Sequence, residues 1–233
     1  MRALGFLLVA LLLPAVPTLG NDPAAFELAT TADRVVITRA GKPVATYVFR
    51  DAKIPRPYWC DLHTPGGQRV TRHHLPIEGE DLTDHELLHP GLWLSFGDLG
   101  GADFWRLKAK TQHVEFTQPP RAERGRVVLG VRNHYLDGDR LVCAEVNETT
   151  IELRPEGYLV RWVSTFESPD RSFAFGDQEE MGLGIRLHTP LSVAQGGEIL
   201  NSDGLKNEKQ AWGKLADWCW YGGRLGDSRI GVL

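Results

Sequence analysis

Arg126-Val-Val-Leu-Gly-Val-Arg-Asn-His-Tyr-Leu136, then Asp137-Gly138, then Leu141-Val-Cys-Ala-Glu-Val-Asn-Glu-Thr-Thr-Ile-Glu-Leu153 is the stretch that decides the fold. Val127, Leu129 and Val131 fall two apart, the period of a strand buried on one face. Asp-Gly between two such runs is a tight hairpin turn. Pro155-Glu-Gly157 turns the chain again into Tyr158–Phe166. Working outward, the same pattern predicts strands over 34–38, 44–49, 58–63, 68–72, 92–96 and 112–117, the last ended by Pro119-Pro120. Further short strands are expected over 172–175, 184–188, 215–221 and 229–233. No window of helical length carries a clean 3.6-residue period. Ten or more strands joined by hairpin turns imply an all-β, antiparallel β-sandwich or barrel.

The chain of 233 residues opens with Met1-Arg2 and an apolar run from Ala3 to Val16, followed by Thr18 and Gly20. Small residues at these two places, after a run too short to span a bilayer, are the pattern of a secretory signal peptide. The expectation is a secreted or periplasmic single domain over residues 21–233, with no transmembrane segment in the mature chain. Net charge is −4 with both signs interspersed, and no basic stripe suggests a nucleic-acid partner. The three cysteines, Cys60, Cys143 and Cys219, have apolar or aromatic neighbours and form no CxxC pair. Buried free thiols are expected rather than a zinc ribbon. Asn147-Glu-Thr149 fits a glycosylation acceptor, relevant only in a eukaryotic secretory route.

Three stretches can carry chemistry. Residues 73–91 show no period and hold His73, His74, His85 and His89. A long aperiodic loop in a compact domain is usually functional. Asp84, His85 and His89 supply two imidazoles and a carboxylate, so a divalent metal is the one cofactor the residues point to. The second stretch, Gly176-Asp-Gln-Glu-Glu-Met-Gly-Leu-Gly-Ile-Arg186, places three carboxylates ahead of two glycines. Glu180 is the candidate acid/base partner of His85 and His89, and Arg186 a candidate substrate-binding residue. The third is aromatic: Trp93 and Trp105, with Asp103 beside the latter, make a candidate surface for a carbohydrate or other small molecule. Indole faces stack on sugar rings while polar neighbours read hydroxyls. Trp212, Trp218 and Trp220 form a second aromatic group nearer the C-terminus.

Several motifs in this order resemble a known family. They are Arg56-Pro-Tyr-Trp-Cys-Asp-Leu, His63-Thr-Pro-Gly-Gly-Gln-Arg-Val-Thr-Arg, Thr83-Asp-His through His89-Pro-Gly-Leu-Trp, Gly97-Asp-Leu-Gly-Gly-Ala-Asp-Phe-Trp, Gly176-Asp-Gln-Glu-Glu-Met-Gly, and Asn201-Ser-Asp-Gly with Trp212-Gly-Lys and Trp218-Cys. From Pro55 onward the chain resembles the bacterial family labelled "methane oxygenase PmoA", also carried as a domain of unknown function. The label is a name rather than an activity, because genuine subunits of that oxygenase are multi-span membrane proteins. The resemblance implies a β-sandwich akin to the galactose-mutarotase supersandwich, and a carbohydrate-related role. It places the family's Asp-His pair on Asp84 and His85, its second histidine on His89 and its acid on Glu180. Leu88 and Pro90 depart from its pattern. Members continue beyond the equivalent of Leu233, so the resemblance also implies a C-terminally shortened chain.

Three functions fit these residues. The first is an exported enzyme acting on a sugar by His/Glu acid–base chemistry, as an epimerase or mutarotase, a lyase or a hydrolase. The second is a non-catalytic carbohydrate-binding sandwich. The third is a metal-dependent oxygenase with a two-histidine, one-carboxylate site.

Overall fold

A computed structural model describes residues 25–168 and 171–233; the segment expected to be a signal peptide, with its expected cleavage site, lies outside the described residues. In chain order the strands are β1 (Phe26–Thr30), β2 (Arg34–Arg39), β3 (Lys42–Val48), β4 (Tyr58–Cys60), β5 (Leu92–Phe96), β6 (Lys110–Glu123), β7 (Arg126–Asp137), β8 (Arg140–Arg154), β9 (Gly157–Glu167), β10 (Met181–Ile185), β11 (Glu198–Asn201), β12 (Cys219–Leu225) and β13 (Ser228–Val232). Among the described residues they are joined by one short α-helix, α1 (Asn207–Ala211), and two single-turn 3-10 helices, Thr189–Leu191 and Val193–Gln195. The strands form a six-stranded sheet in the order β1-β2-β3-β4-β5-β10, a four-stranded sheet β6-β7-β8-β9 and a small sheet β11-β12-β13. All their pairings are antiparallel. No helix among the described residues is long and apolar enough to cross a membrane.

The two larger sheets pack face to face as a sandwich. Val35, Ile37, Tyr47, Trp59 and Leu92 from one meet Val127, Leu129, Val131 and Ile151 from the other. Cross-strand register explains why these residues share a face. Val127 sits opposite Ile151 and Leu129 opposite Thr149, so period-two alternation turns each pair inward together. Each such side chain contributes on the order of 1.5–3 kcal/mol by leaving water.

The structure corrects several strand boundaries. β6 runs straight through Pro119-Pro120 rather than stopping before them. It is an edge strand with register shifts at Glu115/Gln118 and Gln118/Arg121, where proline's missing N–H costs no ladder bond. Residues 68–72 and 172–175 do not form strands. They make only single bridges, His63 to Arg69, Thr71 to Leu187 and Leu99 to Phe175. Cys60 and Cys143 are buried free thiols as expected, whereas Cys219, the first residue of β12, is free but exposed.

Candidate functional site

The outer face of the six-stranded sheet is not left to solvent. Tyr58, Cys60 and Trp93 point away from the sandwich core and form a second cluster with Val48 and Ile54, covered by Leu87, Trp105 and Leu107. Residues 73–91 therefore fold over β4 and β5. A segment without regular structure must still find donors for its carbonyls, and two buried arginines supply them. Arg56, 3% exposed, donates to the Trp105 carbonyl at 3.1 Å and to the Leu88 carbonyl. Its guanidinium also lies 5.5 Å from the centre of the Trp93 ring. Arg72, 1% exposed, donates to the carbonyls of Leu82 (2.6 Å), Asp84 (2.8 Å) and His89 (3.2 Å). Burial pushes Arg56 down to about 10, so it keeps its charge at neutral pH. A planar fork with five donors suits this task, where a lysine's single ammonium does not.

The clamped loop gathers a polar and aromatic cluster on this face. His89 stacks on Trp93, with ring centres 5.0 Å apart and planes 13° apart, and meets Trp105 edge-on at 6.3 Å. The His85 ring lies 5.0 Å from that of His89. Arg186 donates to Asp84 at 2.5 Å, and Asp84 reaches His85 Nδ1 at 3.2 Å. The Arg186 backbone is itself fixed, donating to the Gly91 carbonyl at 2.7 Å. Gly184 pairs with Trp93 across β10 and β5, and a Cβ there would enter the indole, so glycine lets the ring lie flat against the strand. His85 holds a left-handed backbone at φ 50°, a conformation that clusters at functional sites in side chains of this kind.

The electrostatics divide the two histidine-loop groups. Burial pushes His89 down to about 4, helped by the positive charge of Arg186 and by His85. Its imidazole is therefore uncharged at neutral pH. Burial disfavours the charged form of Asp84, but the contacts from His85 and Arg186 outweigh it and hold the carboxyl below its ordinary value. A testable consequence follows from the sign of the His89 shift. The unfolded chain takes up this proton near the ordinary 6.5, before the folded protein does. Stabilisation by uncharged His89 is thus complete above about 6.5 and lost as pH falls towards about 4. His89→Phe keeps the stack and removes the titration, so its Tm will fall less than that of the wild type across this window. His113, also pushed to about 4 by burial, is present in both proteins and cancels.

Of the residues singled out by sequence, His85, His89, Asp84, Arg186 and Trp105 come together. Glu180 does not join them. It lies at the Phe96 end of the β5–β10 pair, whereas Arg186 lies at the Leu92 end. Six residues of extended chain separate the two, about 20 Å. Glu180 instead pairs with Arg106, which also reaches Asp103 at 3.3 Å. Asp103 is further held by Lys108 at 3.2 Å, so its carboxylate is paired at this second corner. Trp93 is 3% exposed and forms the floor under His89 rather than an open stacking face. Asp84, His85 and His89 do not bring three ligand atoms together; among the described residues the group that does is His73, Asp81 and His188. Trp212 and Trp218 are exposed on the small-sheet side, and Trp220 lies under Arg229 at 4.3 Å. Sequence reasoning missed Arg56 and Arg72, because nothing local marks a buried arginine whose partners lie 10–49 residues away.

No curated protein and no solved structure matches this chain. Residues 34–233 match the model of a family described as a family of unknown function (DUF6807), and the chain belongs to that family.

Proposed function

We propose that the protein is an exported, carbohydrate-directed enzyme whose cleft on the outer face of the six-stranded sheet moves a proton on a sugar, with His89 as the proton acceptor. The observation that supports this is the state of His89: an imidazole kept uncharged by burial and by Arg186, stacked on Trp93 beside an exposed second imidazole. At neutral pH such a group is wholly in its basic form. Once protonated it returns the proton readily, as reversible mutarotation or epimerisation requires. His85 exchanges that proton with solvent. Arg186 and Asp84 hold sugar hydroxyls, the geometry in which a charged pair reads orientation. Trp105 gives one wall of the cleft. The motif resemblance to the PmoA-labelled family, and through it to sugar-related proteins, supports the substrate class by analogy.

The second reading, a carbohydrate-binding sandwich without turnover, uses the same residues and differs only in proton transfer. A panel of aldoses and uronic acids separates the two, with binding read by calorimetry and anomeric exchange by NMR. The expected result is that Arg186→Ala weakens binding about tenfold, the loss of one charge-assisted contact. His89→Gln keeps binding and loses exchange. Glu180→Gln, which alters the separate Arg106 corner, changes neither. Binding with exchange no faster than in the absence of protein supports the binding module, exchange undiminished by His89→Gln overturns the role of His89, and no binding by any sugar overturns the carbohydrate reading.

A further inference from the structure

A second cluster lies beside the cleft and is not used by the chemistry above. His73, Asp81 and His188 come from three separate stretches, yet one ligand atom from each falls within 4.8 Å of the others. His73 Nδ1 is 2.7 Å from Asp81 Oδ2, and His188 Nδ1 is 4.0 Å from Asp81 Oδ1. The two imidazoles stand edge to face, 5.7 Å apart at 88°. Both are carried on paired backbone. Arg72 N–H donates to the Arg186 carbonyl and His188 N–H to the Val70 carbonyl, on either side of the Thr71–Leu187 bridge. The carboxylate is fixed independently, accepting from the Ile77 N–H at 3.0 Å and the Thr189 hydroxyl at 3.0 Å.

An imidazole–carboxylate hydrogen bond alone explains His73 but leaves His188 unexplained. Asp81 is fully buried at its side chain and His188 is 16% exposed. The buried Nδ1 of His188 has no hydrogen-bond partner. A nitrogen in that position is costly unless something meets it. Ligand atoms around one ion with bonds of about 2.0–2.2 Å lie roughly 3–3.5 Å apart, and one atom from each of these three residues already lies within 4.8 Å of the other two.

We propose that His73, Asp81 and His188 form a binding site for a first-row divalent transition ion such as Zn2+ or Mn2+. Two nitrogens and one carboxylate suit these borderline ions better than Ca2+ or Mg2+, which prefer all-oxygen shells. Three protein ligands leave at least one position open. His188 lies two residues along the extended chain from Arg186, about 7 Å, so the open position adjoins the proposed sugar cleft.

The test is calorimetry and metal analysis on chelator-stripped full chain, titrated with Zn2+ and with Mn2+. The expected result is one ion per chain and a raised Tm on binding. His73→Ala and His188→Ala each lower affinity more than about 100-fold, beyond the 10–100-fold that loss of an outer partner costs. Circular dichroism checks that both variants fold, and His188→Gln serves if the alanine variant does not. His85→Ala binds the ion as the wild type does, which separates this site from the sugar reading. Absence of stoichiometric binding, or binding undiminished in the His73 and His188 variants, overturns the proposal.

Discussion

Arg72→Ala releases the histidine loop and lowers stability by about 3 kcal/mol, the cost of leaving several carbonyls without their charged donor. The substitution strips the carbonyls of Leu82, Asp84 and His89 of one shared guanidinium. Water can replace part of this, since residues 82–86 are exposed, but not at the half-buried His89. Thermal denaturation reads the loss as a fall in Tm of about 6–12 °C for a chain of this size. Hydrogen exchange localises it, with protection lost at the His89 amide, which donates to the His85 carbonyl at 2.9 Å. Arg72→Lys recovers less than half, because one ammonium cannot span three carbonyls. A wild-type Tm for Arg72→Ala would mean that the loop is held by Arg56 and by its apolar contacts at Leu87.

Glu145→Ala is expected to cost about 4 kcal/mol, since each orphaned buried donor costs on the order of 1–3 kcal/mol and a cavity adds to it. Glu145, 2% exposed, lies on the inner face of β8 and accepts from the Asn133 amide (3.0 Å), the Tyr135 hydroxyl (3.4 Å) and the Ser164 hydroxyl (2.5 Å). Ser164 in turn accepts from Trp162 Nε1 at 2.9 Å and from the Asn147 amide at 3.2 Å. One carboxyl thus terminates a chain of donors that ties β7, β8 and β9 together inside the sandwich. Burial raises its pKa above the ordinary 4.5, against the opposing pull of the three donors. The unfolded chain therefore releases this proton first, near 4.5, and the folded protein only later. The contribution is complete below that pH and declines as pH climbs towards the folded value. Urea midpoints for wild type and Glu145→Ala should converge as pH rises from 4.5, with the variant lower throughout. Curves that stay parallel would show that Glu145 is ionised in the folded protein.

The β7–β8 hairpin was legible because two local signals agree there: the Val127, Leu129, Val131 alternation and the Asp137-Gly138 turn. The all-β class followed from repeating that pattern along the chain. β6 was read too short because Pro119-Pro120 looks like a stop, and only its place at a sheet edge makes those prolines tolerable. In the site, Asp84, His85 and His89 were legible as neighbours because they share one loop. The partnership of Glu180 was not legible. It depends on the direction and register of β10 against β5, which put the acid at the far end of the pair and hand it to Arg106. The approach of His188 to Asp81 spans 107 positions and is set by the single Thr71–Leu187 bridge, which no sequence periodicity records.

We propose that an uncharged His89, stacked on Trp93, is the group that meets the sugar. Imidazole 15N NMR of the full chain, titrated first with acid and then with sugar at neutral pH, tests it most directly. The predicted result is a His89 midpoint near 4 and His89 resonances that move on saturation with a bound sugar. A midpoint at the ordinary 6.5, with resonances indifferent to every sugar in the panel, would contradict it.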